Sequence, residues 1–307
     1  MVGRLAELVS SSLASSTTAS YKRAWALMRQ CMSQLNIPYQ GSLSLPLSCN
    51  MMLLFIGYLH LGGYAPASIT SYVCAIGYAH KIKSVPDPTS SFIVQRVLAA
   101  ANKLNPTTDN RLPITVDILK NIISSTDTVV SNSYNRSLLK AMFLVSFFGL
   151  LRVGEITSDT TAEAVINLGQ LTFHTQHAII NISRFKHNKS GQPFQVVLNR
   201  QAEGILCPVQ ALQVYCSLRG TNTGPLFCFP GLRPIPRSFY TTKLRNLLGF
   251  CGLSHTLYKS HSFRIGAASF YAALGFSDEQ IRMLGRWKSN AFRKYIRCQR
   301  ILNALPE

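Results

Sequence analysis

The stretch 259–297 reads KSHSFRIGAASFYAALGFSDEQIRMLGRWKSNAFRKYIR. His261 and Arg264 stand three apart, so on a helix the imidazole and the guanidinium share a face. Small residues follow, Gly266 to Ser269, and then an apolar run to Leu274, with Gly275 as a helix stop. A second short helix starts at Ser277, whose hydroxyl can cap, with Gln280 three residues on. It ends at Gly285. A third begins near Ser289 and carries Tyr295. Arg282, Arg286, Lys288, Arg293, Lys294, Arg297 and Arg300 punctuate the region. From Lys243 onward the acids before the final Glu307 are Asp278 and Glu279. That imbalance calls for a polyanion.

Working outward, the preceding segments supply two more charged elements. GLLRVGEI (149–156) places Arg152 beyond an apolar run, with Glu155 three residues later. ISRFKHNKSG (182–191) places Lys186 and Lys189 in a turn. The order Arg, Lys, H-x-x-R, L-G-R-W and a tyrosine in K-Y-I-R resembles the C-terminal half of a tyrosine recombinase of the phage-integrase family. In style it is closest to recombinases of eukaryotic mobile elements. No single piece is specific, but the set in order is.

The resemblance implies DNA cutting and rejoining through a 3′-phosphotyrosine intermediate. Tyr295 is then the nucleophile, and Arg152 and Arg264 the clamp on the phosphate. Lys186 is the acid for the leaving oxygen, with Lys189 as second candidate, and His261 assists with protons. Glu155 orients Arg152 or His261. The family commonly places His or Trp nine residues before the tyrosine. Here that position is Arg286, and Trp287 is eight before. Either the indole serves with a one-residue shift or Arg286 contacts the phosphate directly. Metal and cofactor are not required, because guanidiniums supply the positive charge. Two other readings share these residues: a catalytically silent DNA-binding derivative, and a type IB topoisomerase.

Taken singly, each residue has an ordinary structural reading. Tyr295 could be a packing tyrosine, His261 a structural histidine, Arg152 a helix cap, Lys186 and Lys189 hairpin lysines, Trp287 core. Tyr258 and Tyr271 are rival phenols. Tyr258 lies upstream of the H-x-x-R pair, and Tyr271 falls where it would be packed.

Composition fits a folded, nucleic-acid-binding chain. The 307 residues are 47% hydrophobic, enough for full cores. Thirty-one Lys+Arg against 12 Asp+Glu give a net charge of +19, so most basic groups lack internal partners. Double-stranded DNA is the expected partner, met by Lys22, Arg23 and Arg29 in the N-terminal half and by Lys259, Arg282 and Lys288 in the C-terminal half. The resemblance adds a homo-oligomer, a tetramer on DNA, and an intracellular, nuclear setting. The eight cysteines form no C-x-x-C and no zinc spacing, which reads as reduced thiols. Arg4, Glu7 and the lack of a long apolar core argue against a signal peptide. The apolar stretches 51–64 and 138–151 are too short to span a bilayer and read as buried helices.

Along the chain, 1–17 is a Ser/Ala/Thr-rich flexible lead. Helices are expected at 20–35, 49–61, 65–82 and 88–104. NPTTDNRLP (105–113) reads as a linker. A helix from Thr115 or Asp117 and a buried helix at 138–150 that delivers Arg152 at its end follow. A β-hairpin carries Ile180 and Ile182 opposite Val196 and Leu198. Helices at 208–219 and 237–249 lead back to the opening stretch. The expected fold class is mainly α with a small β-hairpin or sheet. A helical, SAM-like core-binding domain spans 1–104, a linker 105–113, and an α+β tyrosine-recombinase catalytic domain 114–307. Limited proteolysis without DNA should therefore nick first within 105–113, because exposed polar connections are cut most readily. First cuts scattered through 138–150 would overturn this division.

Overall fold

Ser48, Pro66 and Thr115 each mark where a helix begins, as their chemistry dictates. The Ser48 hydroxyl accepts from Met51 N, Pro66 occupies a first turn, and the Thr115 hydroxyl accepts from Ile118 N. The computed structural model describes residues 11–37, 45–106, 109–159, 165–183, 185, 188 and 191–296. The chain divides into two compact units, Met1–Asp109 and Asn110–Glu307. Its architecture is mostly helical with one small antiparallel sheet.

In the first unit, the described helices are α1 (Ser15–Gln34), α2 (Cys49–Leu61), α3 (Pro66–Ile82) and α4 (Phe92–Leu104). Met28, Met52, Phe55, Ile56, Leu59, Ile69, Ile76 and Val94 form its core. Helix α1 begins five residues before the expected start, so 15–17 are helical rather than part of a flexible lead. Ser/Thr content argues against a helix there, but packing along α3 overrides propensity. Gly77, unfavourable inside a helix, is required by close approach: a Cβ there would lie 2.6 Å from Thr89 Oγ1.

In the second unit, α5 (Val116–Val129) and α6 (Ser133–Phe148) come first, followed by the single turn α7 (Val153–Ile156). Residues 141–148 of α6 are buried on every side, and α6 packs against α5, α8 (Pro208–Arg219) and α10 (Ser262–Ala273). Phe143 stacks on Phe263 at 5.4 Å between centroids. The hairpin is two strands of a three-stranded sheet: β1 (Leu171–Phe173), β2 (His177–Ile182) and β3 (Phe194–Asn199), in the order β1-β2-β3. Ile180 pairs with Val196, and burial alternates along β2 with the expected period of two. Strand β1 has only three residues, too few for a period to show in sequence. Helix α9 (Arg237–Phe250) precedes α10, and α11 (Asp278–Leu284) and a 3-10 helix (Asn290–Tyr295) close the described chain. No helix among the described residues is long and apolar enough to cross a membrane.

Helix α10 is held at its start by the chain that enters the unit. Leu112 N donates to Leu257 O and Ile114 N to Ser262 O. Gly266 faces the Ile114 backbone so closely that a Cβ would sit 1.8 Å from its carbonyl oxygen. Neither backbone can move without disturbing the other's helix. Gly266→Ala should therefore cost roughly 3 kcal/mol, at the upper end of overpacking penalties. A drop of roughly 6–12 °C in the thermal midpoint should follow. Gly249→Ala, where a Cβ meets open space, is the control and should be neutral or slightly stabilising. Equal midpoints for the two variants would refute this account of α10.

Candidate active site

The buried helix α6 ends at Phe148, four residues before Arg152. Arg152 is instead the cap of α7. This corrects the expectation that the apolar helix delivers the arginine directly. Between them, Gly149 ends α6 and Leu150 adopts a left-handed conformation, φ 45°. Glu155 folds back on the turn. Its Oε2 accepts from Arg152 N at 2.8 Å and its Oε1 from Arg152 Nη1 at 3.2 Å. The carboxylate thereby satisfies an orphan backbone N–H and sits where a helix N-terminus favours negative charge.

Arg264 lies one turn into α10, among the small residues Gly266, Ala267 and Ala268, and is almost fully buried. Its Nη1 donates to Leu150 O and its Nη2 to Gly285 O at 2.8 Å. The guanidinium lies over the Trp287 ring, 4.5 Å from its centroid. Arg286 arrives from the other side. Its Nη2 donates to Glu155 Oε2 at 2.9 Å and to Leu150 O at 3.2 Å. Glu155 thus pairs with Arg152 and Arg286; the expected alternative was His261.

Three guanidiniums and one carboxylate leave two positive charges in excess. Burial first, then the neighbouring Arg152 and Arg286 charges, push the Arg264 guanidinium down to about 9. Burial likewise lowers Arg286. Both effects disfavour the cations as they stand and favour an added anion. Arg264 Nε and Arg286 Nε and Nη1 are buried N–H groups without a hydrogen-bond partner among the described residues.

Tyr295 completes the group. The 3-10 helix folds back onto α10, where Ser269 Oγ donates to Tyr295 O at 3.0 Å. The Tyr295 ring meets the His261 ring edge-on at 5.0 Å and lies 5.6 Å from Trp287. Two features make this return possible. Ser277 and Gln280 form the expected capping box at α11. Gly285 leaves room for the indole, since a Cβ there would be 1.7 Å from the Trp287 ring. The structure thus brings Arg152, Glu155, His261, Arg264, Arg286, Trp287 and Tyr295 together. Lys186 and Lys189 lie outside the described residues. The rival phenols are packed. Tyr271 OH donates to Phe148 O, and burial pushes its phenol up to about 12, while burial also raises Tyr258.

Of the residues expected to meet DNA, Lys22, Arg23, Arg29, Lys259 and Lys288 are exposed. Arg282 is half-buried and shares its charge with Glu279 at 3.5 Å. Lys259 also lines a cleft of about 470 Å³ with Arg237, Thr241, Arg245 and His255. The sequence reading passed over these last residues, although the four-residue spacing of 237, 241 and 245 on one helix face was a usable signal. The Leu150 carbonyl had no such signal. Among the described residues, no cluster of three His, Cys, Asp or Glu could hold a metal ion.

No protein-family model matches the chain, and no curated protein matches it by sequence. Solved structures do. A λ integrase dimer bound to a COC′ core site aligns over 97% of this chain and 76% of its own, with a TM-score of 0.63 and 13% identity. The Tn1549 transposon integrase in complex with transposon right end DNA aligns over 95% and 94%, with a TM-score of 0.62 and 13% identity. A λ integrase tetramer bound to a Holliday junction aligns over 94% and 76%, with a TM-score of 0.62 and 15% identity. At these identities the likeness is one of fold, and the fold is that of the tyrosine recombinases.

Proposed function

We propose that this chain is a site-specific DNA recombinase or integrase that cuts and rejoins DNA through a covalent phosphotyrosine. The observation that carries the reading is the meeting of Arg152, Arg264, His261 and Tyr295 around an excess of buried positive charge. Tyr295 Oη attacks the phosphorus, the bond to the 5′ oxygen breaks, and a 3′-phosphotyrosine and a free 5′-hydroxyl result. One ester replaces another, so no external energy source is needed. Rejoining is the reverse, with a 5′-hydroxyl as attacker. Arg152 and Arg264 hold the non-bridging oxygens while charge builds on them, each donor contributing roughly 3 kcal/mol in a dry site. His261, beside the phenol, takes up its proton. Lys186 supplies the proton to the leaving oxygen in this reading, a role that rests on the sequence resemblance. So do a mobile-element origin and a nuclear setting. The λ integrase neighbours are a dimer and a tetramer on DNA, and we propose a homo-oligomer here as well.

Two measurements test this. First, DNA affinity should fall steeply with salt. If about six phosphates are neutralised, affinity drops by roughly 10³ between 50 and 200 mM. An affinity insensitive to salt would remove the polyanion reading. Second, Tyr295→Phe should leave DNA affinity nearly unchanged, because one hydroxyl adds little beside many cations. It should abolish the denaturation-resistant adduct on nicked duplexes drawn from the DNA flanking the chain's own gene. Tyr258→Phe should retain the adduct, as should Tyr271→Phe if it folds. An adduct surviving Tyr295→Phe would mean another nucleophile. Tight, salt-sensitive binding with no adduct from the unmutated chain would favour a non-cutting DNA-binding protein.

A further inference from the structure

Arg286 is the residue in this site whose place is hardest to explain by packing. Its side chain is 1% exposed, its backbone is left-handed at φ 54°, and it carries two buried N–H groups without a partner among the described residues. Left-handed backbone at a non-glycine residue is strained and persists where surroundings enforce it. A buried guanidinium adds a further cost unless it is paired. Both costs meet at one contact, the ion pair with Glu155.

That contact divides the Glu155 carboxylate. Oε1 belongs to Arg152 Nη1 at 3.2 Å, the longer bond, and Oε2 is shared by Arg152 N at 2.8 Å and Arg286 Nη2 at 2.9 Å. Among the described residues the Arg152 guanidinium is therefore held through one nitrogen, and its side chain keeps 25% exposure. Arg286 and Arg264 also share the carbonyl of Leu150, itself left-handed, which fixes the two guanidiniums relative to each other. On its far side the Arg286 guanidinium lies 5.5 Å from the Phe194 ring and 6.0 Å from the Phe185 ring, at the turn end of the β2–β3 hairpin. The charged neighbours of Arg286 are Glu155 and Arg152.

We infer that Arg286 is a positioning residue. It occupies half of the Glu155 carboxylate so that Arg152 stays open to a phosphate, and it ties the turn end of the hairpin to the arginine pair. Without it, Glu155 is left with Arg152 alone, draws that guanidinium into a closed pair, and removes it from the phosphate. The inference rests on the recombinase reading for its consequence in catalysis, but the pairing can be tested apart from it.

The experiment uses the full chain and four proteins: unmutated, Arg286→Met, Glu155→Gln and the double variant. On the nicked duplexes, Arg286→Met should slow adduct formation at saturating DNA by at least roughly tenfold, since misplacement of about 1 Å can cost 10²-fold. DNA affinity should change little. The double variant should form adduct faster than Arg286→Met alone, because the unbalanced carboxylate is gone. Losses that multiply, with no rescue, would show that Arg286 acts independently of Glu155, and would overturn the inference. A parallel arm reads the shift in thermal midpoint produced by inorganic phosphate against chloride at matched ionic strength. The shift should be present in the unmutated chain, reduced in Arg286→Met and partly restored in the double variant. If Arg286→Met fails to fold, Arg286→Lys takes its place, and Glu155→Gln should again rescue. Coupling in the phosphate arm without any adduct would sink the recombinase reading and leave the Arg286 inference standing. Adduct without coupling in either arm would do the reverse.

Discussion

A single carboxylate in the turn that follows a buried helix sets the charge balance of the arginine cluster. Glu155 lies 6% exposed between Arg152 and Arg286, and the Leu150 carbonyl next to it takes two guanidiniums. One carboxylate cannot neutralise three cations. Removing charges from water costs several kcal/mol per ion even after relaxation, so the cluster is incomplete as it stands. An anion placed beside Arg152 and Arg264 would supply the missing partner. Stability alone gives no reason to build this way, because a well-packed apolar group of similar volume is often as stable. The excess of buried positive charge is therefore the strongest physical argument for a phosphate ligand.

Backbone geometry makes the cluster possible. Leu150 and Arg286 both adopt left-handed conformations, and each aims a group at the same place: a carbonyl from one and a guanidinium from the other. Gly285 lets Trp287 fold back over Arg264, and Gly266 lets α10 lie directly on the Ile114 backbone. Side-chain chemistry and chain path are matched at each point, so substitution of either glycine would displace Arg264, which Gly285 holds through its carbonyl and Gly266 does not bond.

Much of this was readable in the sequence where the signal is local. H-x-x-R, the Ser277–Gln280 capping box, the buried run before Arg152 and the alternation in the hairpin are short-range patterns, and each corresponds to an element in the fold. Long-range pairing was not readable. The resemblance offered Arg152 or His261 as the partner of Glu155, and nothing local pointed to Arg286. Trp287 and Arg286 are adjacent in the chain, yet one covers Arg264 and the other reaches Glu155, because the positive φ at 286 turns the chain between them. The start of α1 and the three-residue strand β1 escaped for a related reason: tertiary contacts, not propensity, decide them.

The charges of this chain fall into two populations with different physical consequences. Exposed lysines and arginines such as Lys22, Arg23, Arg29, Lys259 and Lys288 act through water at high dielectric. Their attraction to a polyanion is additive, salt-screened and nearly indifferent to sequence. Arg264 and Arg286 act where solvent is nearly excluded, with the partly exposed Arg152 at their edge, so the same unit charge exerts a larger force on a phosphate oxygen. Their number is small, but their position is fixed by carbonyls, a carboxylate and an indole rather than by flexible stems. The first population accounts for affinity, and cannot select one phosphate among many. The second is too few to act at a distance, yet its fixed geometry suits it to hold a single anion. On the proposed function, the net charge of +19 describes how the protein would meet a polyanion, and the two excess charges around Glu155 describe what it would do to one phosphate.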